Sequence, residues 1–483
     1  MIKLSKEKYL DKLHACWIGK NIGGTLGTPY EGSREFRDVK GFVSPSGEPL
    51  PNDDLDLQLA WLHALETVGP KHLNANVLGE IWLGWITPHW NEYGICKTNL
   101  ALGLLPPMSG EVDNEKWKTS NGAWIRSEIW AAIAPGAPDI AVKYAVMDAM
   151  VDHGIAEGVC AEIFTAAMQS CAYVESDIRT IINTALKKIP ETSKVAETVR
   201  LVIDCYDKGI DYKETRERVV EFNKDLGWFQ APGNLGFVTI GLLYGEGDFK
   251  KSLIYAVNCG DDTDCTGATV GALLGIVGGS AGIPKDWAEY IGDRIMQICI
   301  SAQFNNRVPK TCGDLTERVF KLVPDVMKAN GVSFEFADED EYTAEELEKL
   351  NRLTSDAFLN RAPYSYDILN NFAFNVRVEM DKTPRVKSGE VRHVKLTFDE
   401  NMSIGITRRL FVKLILPEGF TVGDYDKNVL LEYRQLPQGI KGRASVEFDI
   451  TAGERVEAVN RCYAEITAQH MPAPVIVPIT FIA

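Results

Sequence analysis

Gly260-Asp261-Asp262-Thr263-Asp264-Cys265-Thr266, continuing into Gly267-Ala268-Thr269-Val270-Gly271-Ala272-Leu273-Leu274-Gly275, is the stretch that decides how this chain folds. Three aspartates and two threonines stand where a run of small and apolar residues begins a helix. Acidic side chains are favoured there because the first amide groups of a helix lack partners and the dipole is positive. One such residue is enough for a cap. The surplus carboxylates repel one another unless a cation, a proton or a basic side chain sits among them. A hard-cation site of Mg²⁺ or Mn²⁺ type would relieve that repulsion, and a solvated, over-capped helix start is the plainer alternative. Alanine and glycine in the following run let helix axes approach closely, which suits the centre of a compact helical domain.

The chain around this stretch has 483 residues, enough for a large core and more than one domain. Hydrophobic residues at 45% and charged residues at 24% are globular values. A net charge of −16 argues against a general nucleic-acid binder, since phosphate recognition needs a basic surface. Ten cysteines are scattered without a CxxC pair, so they read as reduced thiols and not as a disulfide or zinc framework. The charged start Met1-Ile2-Lys3-Leu4-Ser5-Lys6-Glu7-Lys8 is unlike a signal peptide, and no stretch is read as the ~18 apolar residues that span a bilayer. A cytoplasmic protein with no membrane or nucleic-acid partner is expected.

Helical spacing recurs from about 5 to 330, and helices are expected at 5–24, 54–67, 72–86, 123–134, 137–151, 155–174, 193–207, 211–222, 234–245, 249–258, 263–278 and 313–329. Asp338-Glu339-Asp340-Glu341 and Glu345-Glu346-Leu347-Glu348 then mark an acidic junction. Beyond it the period becomes two: Phe372, Phe374, Val376, Val378 and Met380 alternate with polar or small residues, as do Val394, Leu396 and Phe398. The expected fold class is multi-domain: an all-α domain at 1–333, an acidic helical linker at 334–370 and an all-β sandwich at 371–483. The β-domain shows no chemistry and reads as an accessory.

A second acidic helix start lies upstream at Pro51-Asn52-Asp53-Asp54-Leu55-Asp56. Two such helix starts can converge on the same cations. A glycine-rich segment, Gly19-Lys20-Asn21-Ile22-Gly23-Gly24-Thr25-Leu26-Gly27-Thr28-Pro29-Tyr30-Glu31-Gly32, matches no phosphate loop; it reads as a close-packed helix and a proline turn that carries Glu31. Ser120-Asn121-Gly122-Ala123-Trp124-Ile125-Arg126 offers turn amides and a cation for an anionic ligand, or a surface ion pair. His153 ends an apolar helix beside Gly154, where the dipole favours it whatever its function. Tryptophans at 82, 85, 90, 117, 124 and 130 supply stacking surfaces or core.

These segments, in this order over about 10–300, resemble the ADP-ribosylglycohydrolase family. Gly23 to Glu31 resembles that family's G-D-A-x-G-x-P-x-E opening, Asn52-Asp53-Asp54-Leu55 its T-D-D-T, and Asn121 to Arg126 its N-G-A-x-M-R. His153 falls at the family's Thr-His position, and Gly260 to Gly275 resembles G-G-D-T-D-T-x-A-x-x-x-G-A-x-x-G. The resemblance implies an all-α fold with a binuclear Mg²⁺ or Mn²⁺ centre that hydrolyses the bond at the anomeric carbon of ADP-ribose. It implies Glu31, Asp54 and Asp262 as catalytic residues. Asp53, Asp54, Asp262 and Asp264 would be metal ligands, with Asn52 and Cys265 at neighbouring ligand positions. Asn121, Gly122, Arg126 and His153 would face the substrate, a small molecule, an ADP-ribosylated partner or a saccharide.

The departures from the pattern are specific. Asn52, Leu55 and Cys265 stand where the family carries hydroxyl residues, and Gly24 replaces the opening Asp. A thiol is a poor partner for Mg²⁺, which prefers oxygen. An inactive, ADP-ribose-like ligand-binding relative is therefore carried as an alternative, as is a glycoside hydrolase acting on a furanosyl saccharide, which a helical domain with a β-sandwich appendage would suit.

Overall fold

The computed structural model describes residues 1–43, 48–369, 373–401, 406–432 and 442–483. The chain divides into two units, Met1–Lys97 with Asn114–Asn360, and Thr98–Asp113 with Arg361–Ala483. The first is helical and the second is built of antiparallel sheets, the fold class expected from the change in hydrophobic period.

Helix α1 (Lys6–Gly27) starts where the Ser5 hydroxyl accepts from the Lys8 amide. Its centre packs against the Thr263–Gly282 helix in antiparallel sense, with Gly19 against Gly271, Gly23 against Gly267 and Gly27 against Thr263. A Cβ built on Gly19 would fall 2.1 Å from the Gly271 carbonyl oxygen, and one on Gly267 would fall 2.6 Å from that of Gly23. Only glycine lets the two backbones touch at these levels. Because the pair is antiparallel, the end of α1 meets the start of the Thr263–Gly282 helix, and Glu31 is delivered to Asp262 and Asp264.

The Thr263–Gly282 helix revises one expectation. By length and composition alone it is apolar enough to cross a membrane, but 72% of that window is buried inside the protein. Flanked by α1 and by the Phe249–Asn258 and Ala231–Gly245 helices, it is the core of the helical unit. The expected end at 278 coincides with a break at Gly279, whose φ is 61°.

Helix α2 (Asp53–Val68) begins at Asn52, whose Oδ1 accepts from the Asp54 amide at 2.7 Å. The expected helix at 123–134 is instead a 3-10 turn, Trp124–Arg126, followed by the short helix Glu128–Ala132. Helices Asn91–Leu102 and Ile178–Leu186 were not expected. Asn91–Leu102 mixes Asn, Glu, Gly, Lys and Thr among its apolar residues, so its sequence shows little helical period. In the acidic segment, β2 (Phe334–Ala337) pairs in parallel with β1 (Ile2–Ser5), and residues through Asn360 belong to the helical unit.

In the second unit, one sheet has the order β3-β4-β5-β9-β7 and the other β11-β10-β6-β8. The strands are β3 (Ser365–Ile368), β4 (Phe374–Met380), β5 (Val391–Glu400), β6 (Arg408–Ile415), β7 (Thr421–Val422), β8 (Asp426–Leu431), β9 (Arg443–Thr451), β10 (Val459–Ala468) and β11 (Val475–Ile482). Inward residues of both sheets, among them Val378, Leu396, Val412 and Ile479, form one apolar core that also takes in Leu104, Met108 and Val112. Phe372, read as part of the first strand, lies outside the described residues.

Candidate active site

The turn after α1, Thr28–Tyr30, places Glu31 beside the start of the Thr263–Gly282 helix. A backbone strap fixes it there. The Gly32 amide donates to the Asp261 carbonyl at 2.9 Å, and the Asp261 amide donates to the Ser33 carbonyl at 2.6 Å. Gly260 makes the crossing feasible: its φ is 81°, and a Cβ there would fall 2.6 Å from the carbonyl oxygens of Ser33 and Glu35. Asp261, at φ 68°, turns its carboxylate away from its neighbours to accept from the Phe229 amide at 3.0 Å. It therefore ties two loops and is no part of the acidic group.

Asp262 is the N-cap residue, yet its side chain makes no cap bond. Its Oδ2 instead accepts from Asn121 Nδ2 at 2.7 Å, and Asn121 is held in turn by Trp124 Nε1, which donates to its Oδ1 at 3.0 Å. The hydroxyls of Thr263 and Thr266 donate to the backbone carbonyls of Gly27 and Thr263. From α2, Asp53 accepts from the Tyr93 hydroxyl at 2.9 Å and Asp54 accepts from Cys265 Sγ at 3.3 Å. Oxygens of Glu31, Asp262 and Asp264 lie within 4.8 Å of one another, and so do ligand atoms of Asp54, Asp264 and Cys265. Asp264 belongs to both groups.

Glu31, Asp53, Asp262 and Asp264 floor a cavity of about 410 Å³ whose walls include Thr28, Trp90, Glu92, Tyr93, Gly122 and Phe229. Asp54 Oδ2, Asp262 Oδ1 and Asp264 Oδ1 are buried and receive no hydrogen bond. The electrostatic strain follows from that. Glu31 is pushed up to about 8 by the Asp264 charge and by burial, and Asp53 to about 6 by burial and Asp264. Burial drives Asp54 and Asp262 well above the usual carboxylate range. Burial among Asp262 and Asp54 likewise keeps the Cys265 thiol protonated.

The family model described as ADP-ribosylglycohydrolase matches residues 5–316. This chain belongs to the ADP-ribosylglycohydrolase family. An uncharacterized protein of Archaeoglobus fulgidus is 23% identical over 303 residues, which is 59% of this chain and 92% of that protein. A solved structure described as an ADP-ribosylglycohydrolase-related protein complex covers 66% of this chain and 99% of its own, at 21% identity and a TM-score of 0.41. Membership points to glycosyl hydrolase-type chemistry, and the family generally uses divalent metals.

Set against the residues that the family pattern singled out, Glu31, Asn52, Asp53, Asn121, Gly122, Asp262, Asp264 and Cys265 line the cavity, with Asp54 buried against Cys265. Arg126 and His153 do not line it. Arg126 is fully buried, donating to Asp148 and Asp152 and to the Gly122 carbonyl. His153 Nε2 lies 3.1 Å from Ser120 Oγ, and its Nδ1 lies 2.9 Å from Asp152 Oδ1. Burial raises Asp152, but Arg126 and His153 outweigh it and hold the carboxyl at about 2. The pair braces the 120–122 loop from behind. Asn52 also differs from expectation: its oxygen is spent on capping, and its Nδ2 faces Asp264 at 3.5 Å.

Tyr93, Glu92 and Phe229 were not singled out from the sequence. Tyr93 stands forty positions from Asp53, on a helix with no acidic pattern, so only the folded chain joins them. Of the six tryptophans named from the sequence, out of ten in the chain, Trp90 is the one on the cavity wall, 48% exposed; Trp82, Trp85, Trp124 and Trp130 are core.

The acidic groups fit divalent cations. Glu31, Asp262 and Asp264 offer only oxygen, as Mg²⁺ and Mn²⁺ require, and the donorless carboxylate oxygens are ones that a cation would satisfy. The second group is mixed, because Cys265 contributes sulfur.

Proposed function

We propose that this chain is a metal-dependent hydrolase of the glycosidic bond at the anomeric carbon of ADP-ribose or a related ribosyl group. One observation carries the reading: carboxylates from two helix starts and one turn converge on a single cavity, with three buried oxygens lacking donors. Keeping such groups together is costly without positive charge. Asp53, Asp54, Asp262 and Asp264 would hold Mg²⁺ or Mn²⁺, with Glu31 beside them. When bound, such ions act as Lewis acids toward sugar hydroxyls and lower the pKa of water.

The chain's own residues do the rest. Tyr93 orients Asp53 and Asn121 orients Asp262, so neither carboxylate is free to swing away. Glu31, on the turn beside Asp262 and Asp264, is placed to serve as the base that receives a proton from the attacking water once cations offset the neighbouring carboxylates. In the hydrolysis, the water oxygen bonds to the anomeric carbon. The bond to the leaving group breaks with its electron pair, and a proton passes to that group. Positive charge developing on the sugar ring is stabilised by the surrounding carboxylates.

The test is Mg²⁺ and Mn²⁺ titration of chelator-stripped protein, run beside a hydrolysis assay on ADP-ribosyl-arginine and ribofuranosides. Specific binding together with chelator-sensitive release of sugar supports the reading. A protein that binds no ion and releases nothing would overturn it and leave a ligand-binding relative.

A further inference from the structure

Among the described residues that line the cavity there is no lysine, arginine or histidine, whereas Glu31, Asp53, Glu92, Asp262 and Asp264 all do. Two buried cations among the described residues are already matched. Lys20 lies 3.1 Å from Glu128, and Arg126 is locked between Asp148 and Asp152. Arg34 stacks on the Trp228 ring and faces Asp261, apart from the cavity lining. With Asp54 added, six carboxyl groups surround the site, so even two divalent cations would leave no surplus positive charge for a phosphate. The wall opposite in character is aromatic: Trp90, Tyr93 and Phe229.

Resting on the hydrolase reading above, we propose that the substrate of this cavity is an unphosphorylated glycoside, uncharged or cationic, whose ribosyl group enters without a pyrophosphate. A ribofuranoside or nucleoside fits this description. Anionic ligands pay like-charge repulsion here that neutral ones do not, while aromatic faces favour a sugar ring or planar leaving group equally in both cases.

ADP-ribose differs from adenosine by the charged pyrophosphate and by a second ribose, so the salt dependence of each affinity, read beside the affinity ratio, isolates the charge term. Binding of each is measured calorimetrically to the full chain in saturating Mg²⁺ at two salt concentrations, beside hydrolysis of p-nitrophenyl ribofuranoside and ADP-ribosyl-arginine. Adenosine should bind about tenfold more tightly than ADP-ribose or better. ADP-ribose affinity should rise with salt while adenosine affinity stays flat. Ile298→Lys, which adds a cation at an exposed position of the cavity wall, should move the preference at least severalfold toward ADP-ribose. ADP-ribose binding as tightly as adenosine, or weakening with salt, would overturn the inference while leaving the hydrolase reading intact. Failure of both ligands to bind and of both substrates to react would instead overturn the hydrolase reading itself.

Discussion

Replacing Asp262 with asparagine should make the metal-free protein more stable and the metal-loaded protein less so. In the wild type, Asp262 Oδ2 is held by Asn121 while Oδ1 is buried without a donor, and a carboxylate oxygen of Asp262 lies within 4.8 Å of oxygens of Asp264 and Glu31. Asparagine can keep its carbonyl on Asn121 Nδ2 and put an amide in place of Oδ1, turning a repulsion into a donor beside a carboxylate. A hydrogen bond to a charged group contributes about 1.5–3 kcal/mol. For a helical unit of roughly 340 residues, unfolding entropy is about 0.7 kcal/mol per kelvin, so a gain of ~2 kcal/mol raises Tm by about 3 °C. At Mg²⁺ or Mn²⁺ a hundredfold above Kd, the wild type gains about 2.7 kcal/mol, or ~4 °C, and the variant should lose most of this. Thermal melts with chelator and with metal read both terms, and the order of the two proteins should invert between the conditions. An Asp262→Asn protein that melts below wild type in chelator, or that keeps the full metal shift, would refute the reasoning.

Stability of the metal-free protein should also depend on pH. Asp53 and Glu31 have folded values of about 6 and 8, above their unfolded values near 4, so the native state holds more protons between those limits and stability falls as pH rises through them. Chelator-treated melts at pH 5 and pH 8 check this; a Tm that is flat or higher at pH 8 would contradict it, and added metal should restore most at pH 8. Gly23→Val puts a side chain where a Cβ already overlaps the Gly267 backbone, so the helix pair must separate at a cost of about 3 kcal/mol or more, seen as a lower Tm and weaker metal binding together. Cys265→Thr keeps a donor for Asp54 and exchanges sulfur for oxygen in the mixed group, so Mg²⁺ affinity should increase; a decrease by calorimetry would show that the thiol is needed. Cutting the chain at 370 strips cover from Leu104, Met108 and Val112, which belong to the β-unit core, so the fragment should aggregate on light scattering unless 98–113 is removed or made polar.

Local chemistry in the sequence was enough to mark both acidic helix starts, because capping residues, carboxylates and the apolar period that follows are all close in the chain. Asn52 caps α2, and Asp262 heads the long central helix, as the residues themselves dictate. The alternation of Phe374, Val376, Val378 and Met380 likewise specifies a strand with one buried face. The roles of single polar atoms were not legible. Arg126 and His153 read as ligand-facing, but burial among Asp148, Asp152 and Ser120 turns them into braces. Asn52 read as an oxygen donor to metal, yet its one oxygen is committed to the α2 amide.

The set of acidic groups and the elements that carry them thus follow from local sequence, since propensity and capping act within a few residues. Which carboxylates meet was decided only by tertiary structure. Glycines at 19, 23, 267 and 271 let two antiparallel helices touch, and that contact, made across more than 200 residues, brings Glu31 to Asp262 and Asp264. Tyr93 and Phe229 join the site for the same reason: side-chain positions there are fixed by packing between distant segments, on which a local pattern carries no information.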